Sequence, residues 1–327
     1  MRWKNRRDIS GKGGQRTEFV IPILSVVNAP GCLYNEEKPV IERKMTMPGA
    51  QMWPDCDEDI RRFVGNVVKR LKSELQNRLT GVYLHGSLAM GSYYRPKSDI
   101  DLIAVVDGRL SADLAEKTAI SVAEEASRRP TVGNVEMSAI TKETAKRVPV
   151  PMPFEWHYSS SWHDRIVNRE VDYREERTDP DLPSHLMYVT KRGIRLYGRP
   201  IPETFGQVEW RFLWDAVRDD LDWILQDGHI AETPFYSVLN ICRVFQLTAS
   251  DSRTVYSKEE GGLWGLVHLP REHHPVIRQA LEVYRSSETV TEEQRRTGGR
   301  EWDRDKLFAF RDYARSRLGG PGTEQSR

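Results

Sequence analysis

The chain of 327 residues carries 49 Lys and Arg against 48 Asp and Glu, a formal net charge of +1. Proteins held mainly to phosphate backbones carry a basic excess, because neutralising phosphates supplies most of that affinity, so a nucleic-acid partner is not expected. The length implies more than one domain, since single cores stop growing at roughly 250 to 300 residues.

No apolar run reaches the roughly 18 residues of a membrane span. The basic, Gly-containing start at Met1 to Arg16 lacks the apolar centre of a signal peptide. A cytoplasmic protein with no membrane partner is expected, and a monomer. Cys32, Cys56 and Cys242 show no metal-ligand spacing and are expected to be reduced and structural.

Residues 1–52 show little periodicity beyond an apolar run at Phe19 to Val27 and read as a poorly organised N-terminal extension. From Asp55 an acidic start precedes Ile60, Phe63, Val64, Val67, Val68, Leu71 and Leu75, a spacing that predicts an amphipathic helix. Val82 to Leu84 and Ile100 to Val106 read as adjacent strands joined by a loop containing Gly and Pro. Ser111 opens a second predicted helix, to Arg129, with a stripe of Leu114, Ala115, Ala119, Ile120, Val122 and Ala123. Over Asn134 to Ile140, Val135, Met137 and Ala139 alternate with Asn134, Glu136 and Ser138, which predicts a half-buried strand with Glu136 on its open face.

Val148 to Pro183 has weak periodicity and reads as a connecting region. Beyond it, Leu186 to Leu196, Trp210 to Leu225, Pro234 to Thr248, Ser257 to Leu269 and Val276 to Arg285 carry helical patterns with no strand between them, which predicts an all-helical C-terminal domain. The two domains are accordingly placed at 53–160 and 161–285. A polar C-terminal extension over 286–327 holds one more predicted helix, Asp303 to Leu318. The adjacent His273 and His274 beside Glu272 lack helical ligand spacing and read as a polar helix entry rather than a metal site.

The chemistry concentrates in residues 81–106, where a strand runs into Gly86-Ser87, a loop follows, and Ser98-Asp99-Ile100-Asp101 opens an apolar strand. Asp99 and Asp101, two apart on a strand, point to one side. Charges so placed repel unless a cation lies between them. Hard oxygen ligands favour Mg²⁺, which completes its shell with substrate phosphates. Gly86-Ser87 is a matching side-chain-poor turn whose backbone N–H and hydroxyl suit a phosphate.

This conjunction resembles the nucleotidyltransferase superfamily of polymerase-beta-like enzymes. The resemblance implies an α+β fold whose N-terminal nucleotidyltransferase domain is a small mixed sheet flanked by helices. It also implies ATP with two Mg²⁺ ions, and transfer of a nucleoside monophosphate with release of pyrophosphate. The superfamily completes its site with a third carboxylate, for which Glu136 is the candidate, as both base and metal ligand.

A nucleotidyltransferase domain followed by helices is similar to the aminoglycoside adenylyltransferases that modify streptomycin and spectinomycin. Local matches are Asn134-Val135-Glu136, Phe154-Glu155-Trp156, Leu239 to Phe245 around Arg243, Ser257-Lys258, and Pro275-Val276-Ile277 followed by Tyr284. The resemblance implies nucleotide contacts from Gly86, Ser87, Ser98, Arg243, Lys258 and Tyr284, with Trp156 and Glu155 beside a small cationic acceptor. A nucleotidyltransferase acting on a protein, as toxin-type enzymes do, or on another small metabolite is the alternative.

Overall fold

The first periodic segment forms α1 (Glu58–Leu75), which buries Ile60, Phe63, Val64, Val67, Leu71 and Leu75 on one face. The computed structural model describes residues 49–318 apart from residues 227, 251, 252, 289 and 292. The extension expected over 1–52 therefore lies outside the described residues except at 49–52, where the Gln51 and Tyr93 backbones exchange two hydrogen bonds of 2.8 and 3.3 Å. Cys32 falls outside them too, while Cys56 and Cys242 are buried free thiols, in line with a reduced, structural role.

After α1 come β1 (Leu79–His85), a short helix α2 (Gly86–Met90), β2 (Ile100–Val106), α3 (Ala112–Ala126), β3 (Val135–Thr141) and α4 (Lys142–Arg147). Ser111 caps α3 as expected, its hydroxyl accepting from the Leu114 N–H at 3.3 Å. Next are β4 (Met152–Phe154), β5 (Trp156–Tyr158), α5 (His163–Val167), β6 (Arg177–Asp179), α6 (Leu182–Arg192) and β7 (Ile194–Gly198).

A five-stranded sheet has the order β5-β3-β2-β1-β7, and β4 pairs with β6 in a small ribbon. Within the large sheet β2 and β3 are parallel and the other pairs antiparallel. The rest is helical: α7 (Ile201–Thr204), α8 (Trp210–Leu225), α9 (His229–Glu232), α10 (Pro234–Ala249), α11 (Lys258–His268), α12 (His274–Arg285) and α13 (Arg304–Leu318).

The sheet divides two cores. Leu84, Leu102, Ala104, Met137 and Ala139 face α1 and α3 in one cluster. Tyr83, Ile103, Val105 and Ile140 point the other way, into a cluster that continues through α6, α8, α10 and α12. The sheet's second face is thus roofed by the helical region, which turns a polar strand terminus on that face into an enclosed site.

Four expectations change. Residues 194–196, placed at the end of a helix from the sequence, belong instead to β7, which pairs with β1 and completes the sheet. A boundary at 160–161 therefore separates that strand from the sheet it joins. The connecting region at 148–183 is ordered as β4, β5, α5 and β6. Strand β3 is buried on both faces, not half-buried, because the helical region covers the side carrying Glu136, which is 7% exposed. The predicted last helix exists as α13, but it is no appendage: Leu307, Phe310 and Ala314 are fully buried in the helical core.

Candidate active site

Strand register brings the carboxylates together. His85 of β1 lies opposite Asp101 of β2, and Asp101 lies beside Glu136 of β3. Side chains at paired positions project to the same face, so these three line one row on the roofed face of the sheet. Asp99 stands just before β2, where its Oδ1 accepts from the Asn134 N–H at 2.7 Å. Asp99, Asp101 and Glu136, all picked from the sequence, therefore converge.

Burial, then the neighbouring Glu136 and Asp99, push Asp101 up to about 7. Burial acts the same way on Asp99, yet Asp99 is held below the usual carboxylate range, with the Arg295 guanidinium, the Asn134 N–H and Lys258 among the groups that lower it.

Gly86 has a sharper purpose than a side-chain-poor turn. It sits at φ +65°, and a Cβ there would stand 1.9 Å from Asp101 Oδ2. Glycine is what lets Asp101 occupy its place. Ser87 follows, half-buried, as the second residue of α2. Ser98 is buried, with its hydroxyl accepting from the Tyr94 N–H at 3.0 Å and 3.4 Å from the Tyr284 hydroxyl. Tyr284 donates to the Ser92 carbonyl at 2.8 Å and packs edge-on against Tyr94, so it fastens α12 to the loop ahead of Asp99.

The helical region supplies the cations. Arg243 on α10 donates to the Tyr188 hydroxyl at 3.0 Å, and its Nε has no hydrogen-bond partner although buried. Lys258, at the start of α11, sits over the Tyr236 and Tyr284 rings at 5.5 and 5.8 Å. Burial and then Arg243 hold its ammonium below the ordinary lysine range, opposed by Asp99, Asp101 and Asp220. The two helices come this close because residue 261 is glycine: a Cβ there would meet the Arg243 backbone at 2.7 Å. Tyr236 in turn donates to both Asp220 oxygens, at 3.0 and 3.1 Å.

Neither residue expected beside the acceptor lies on this face. Trp156 pairs with Ala139, so it projects to the opposite side of the sheet, and it is 0% exposed in the core under α1 and α3. Glu155 is spent beyond the far end of β2, a strand roughly 20 Å long. There it binds Arg109 Nε at 3.0 Å and the Leu110 N–H at 2.7 Å.

The position facing the carboxylates belongs to His157, which pairs with Ser138, bonds its hydroxyl through Nδ1 at 2.9 Å, and packs edge-on to Trp162 at 5.7 Å. His185 of α6 sits above, with Nε2 4.0 Å from Glu136 Oε1 and its ring 5.2 Å from that of His85. Burial holds both His85 and His157 below the ordinary imidazole range, His157 at about 4. These histidines escaped the sequence reading; the alternation around Glu136 and Trp156 was the signal that places His157 on the acid face.

The donors suit a hard divalent cation, being carboxylate oxygens whose mutual repulsion a cation relieves. Among the described residues no three or more Asp, Glu, His or Cys side chains form a self-sufficient metal site.

Residues 64–195 match a family model described as a nucleotidyltransferase domain, and residues 203–303 match the C-terminal domain of aminoglycoside adenylyltransferase. The chain is 25% identical to a spectinomycin 9-adenylyltransferase of Campylobacter jejuni over 228 residues, 68% of this chain and 84% of that one. It is 23% identical to an aminoglycoside (3'') (9) adenylyltransferase of Shigella flexneri over 241 residues, 70% and 87% of the two chains.

A crystal structure of the spectinomycin adenyltransferase from Enterococcus faecialis, with ATP and spectinomycin, shares the fold. Its TM-score is 0.62 at 20% identity, covering 79% of this chain and 99% of that one. The second match runs past residue 286, so part of the presumed C-terminal extension belongs to the matched domain. The chain thus carries a nucleotidyltransferase domain followed by a stretch that matches the C-terminal domain of aminoglycoside adenylyltransferase, in the order found along the adenylyltransferases it resembles.

Proposed function

We propose that the enzyme transfers AMP from ATP, with Mg²⁺, to a hydroxyl of an aminoglycoside of the streptomycin/spectinomycin type and releases pyrophosphate. The observation that carries this is the placing of Asp99, Asp101 and Glu136 on one sheet face beneath the cationic helices. Asp99 and Asp101 would hold Mg²⁺, with Glu136 beside them. When bound, the ion neutralises charge on the phosphates and lowers the pKa of a nearby hydroxyl.

The chain's own groups do the rest. Arg243 and Lys258 bind the triphosphate, whose charge exceeds what the metal offsets. Glu136 accepts the proton of the attacking hydroxyl. That oxygen forms a bond to the α-phosphorus, the bond from the α-phosphorus to the bridging oxygen breaks, and the electron pair leaves on pyrophosphate. The roof over the sheet excludes water, which would otherwise compete as acceptor.

For the acceptor, an ammonium or guanidinium group requires carboxylates. Asp220, half-buried beside Tyr236, is available within the helical region. The placing of Trp156 in the core and of Glu155 beyond the far end of β2, both away from the carboxylates, favours, as a second reading, a different polar acceptor in the same site, a small metabolite or a protein hydroxyl. The test is ATP and Mg²⁺ with a panel of aminoglycosides, reading pyrophosphate release and adduct mass. A drug heavier by one AMP supports the first reading. Release with none of them, but with another metabolite or a protein, overturns it in favour of the second.

A further inference from the structure

Beyond Tyr284 the chain leaves α12 and turns back toward the sheet. Its single turn at Gln294–Arg296 places Arg295 against Asp99, with Nη2 donating to Oδ1 at 2.6 Å. The two side chains are 15% and 18% exposed, so this is a shielded pair and not a surface one. The segment is fastened at several points. Lys97 Nζ donates to the Glu288 carbonyl at 3.1 Å, and Arg300 holds the Glu288 carboxylate at 3.0 and 2.8 Å. Trp302 Nε1 donates to the Thr297 carbonyl at 2.9 Å, and Gln279 Nε2 to the Glu301 carbonyl at 2.8 Å.

A fastened segment that delivers one guanidinium to one of the three carboxylates needs a reason. Asp99 already accepts the Asn134 N–H on the same oxygen, so its orientation is fixed without Arg295. The site must instead accommodate a triphosphate next to three acids. Arg243 and Lys258 approach from the α10–α11 side, whereas Arg295 approaches from the Asp99 side. A guanidinium has five donors, and its bond to Asp99 uses one nitrogen.

Resting on the function proposed above, we propose that Arg295 is a nucleotide-binding cation supplied by the C-terminal segment, which exchanges the Asp99 carboxylate for the triphosphate when ATP and Mg²⁺ enter. Exchange has a crossed signature. Without nucleotide, Arg295 competes with a divalent ion for Asp99, so removing its charge tightens metal binding. With nucleotide, Arg295 adds a charge-assisted contact, so the same change weakens nucleotide binding.

The experiment compares full-length wild type, Arg295→Gln and Arg295→Lys in two titrations, with thermal melts of each. One follows Mn²⁺ binding without nucleotide. The other follows binding of α,β-methylene-ATP in the presence of Mg²⁺. For Arg295→Gln, Mn²⁺ affinity rises while analogue affinity falls roughly ten-fold or more, the range of a bond to a charged group. Arg295→Lys keeps the charge but not the fork, and falls between; it also serves should the Gln variant not fold.

Unchanged analogue binding overturns the inference. So does a parallel loss of both affinities, which marks a merely structural pair. If wild type itself shows no Mg²⁺-dependent analogue binding, the inference and the function beneath it fall together; if wild type binds and Arg295→Gln binds equally, only the inference falls.

Discussion

Gly86 offers the sharpest test of how the carboxylates are arranged. Its backbone lies at φ +65°, and a Cβ there would stand 1.9 Å from Asp101 Oδ2 and 2.8 Å from Asp101 Cγ. Gly86→Ala therefore carries two separable penalties. The left-handed backbone costs an L-residue about 1–2 kcal/mol, which for a chain of this size lowers Tm by roughly 2–8 °C. The steric penalty falls on function, because Asp101 must retreat by about 1 Å or more to regain ordinary contact, and a displacement of that order costs a reacting geometry roughly 100-fold.

Gly108 separates the two effects. It too has positive φ, +77°, but nothing lies within 4 Å of where its Cβ would be. Gly108→Ala thus carries the backbone cost alone. Pyrophosphate release at saturating ATP, Mg²⁺ and acceptor, measured with thermal melts, should show similar losses in Tm but near-normal turnover in Gly108→Ala and a roughly 100-fold loss in Gly86→Ala. Near-wild-type turnover in both variants would refute the claim that Gly86 makes room for Asp101.

Asp101→Asn should abolish Mg²⁺-dependent transfer yet melt at or above wild type at pH 8, because the charge it removes is disfavoured by burial, Glu136 and Asp99; retained transfer would remove Asp101 from the metal site. Glu136→Gln should lose roughly 100- to 10,000-fold in turnover while binding the ATP analogue normally, and undiminished turnover excludes it as base. Asp179, 1% exposed and with Oδ2 lacking a partner, is raised well above the usual carboxylate range by burial. The folded state thus binds the proton that the unfolded state releases near pH 4, and stability falls as pH rises above that value, by about 1.4 kcal/mol per unit until the folded group titrates. Asp179→Asn removes this slope, so its Tm relative to wild type should climb as pH rises above about 4; a pH-independent difference contradicts a raised Asp179.

The sequence discloses elements whose own periodicity matches their final surroundings. Helix α1 buries the apolar stripe that its spacing picks out, and Ser111 caps α3. It misleads where neighbours decide. Residues 194–196 continue an apolar helical pattern, but Gly193 at φ −74°, ψ 162° ends α6, and pairing with β1 makes the next five residues a strand. Alternation in β3 correctly separates Met137 and Ala139 from Glu136 and Ser138, yet both faces are buried. Alternation reports that two faces differ in polarity, and a roof contributed from far along the chain is invisible to it.

The same division holds in the site. Asp99 and Asp101 lie within three residues of chain and Gly86 shortly before them, so their pattern survives in a linear reading. Trp156 and Glu155 are also local, but strand register sends each away from the acids, which no motif encodes. Arg295 is the extreme case, 196 residues from its partner in a polar stretch with no periodicity of its own. Two charges so distant in sequence meet only because α12 and the turn after it are fastened to the loop ahead of Asp99 through Tyr284 and Lys97. The near-neutral total of the chain conceals this arrangement: acids collected on one sheet face are answered by Arg243 and Lys258 from the helices and by Arg295 from the segment beyond. The three cations are held differently, Arg295 by the Asp99 carboxylate, Arg243 by the Tyr188 hydroxyl and Lys258 over the Tyr236 and Tyr284 rings, so under the exchange proposed above it is Arg295 whose partner an anionic substrate would replace.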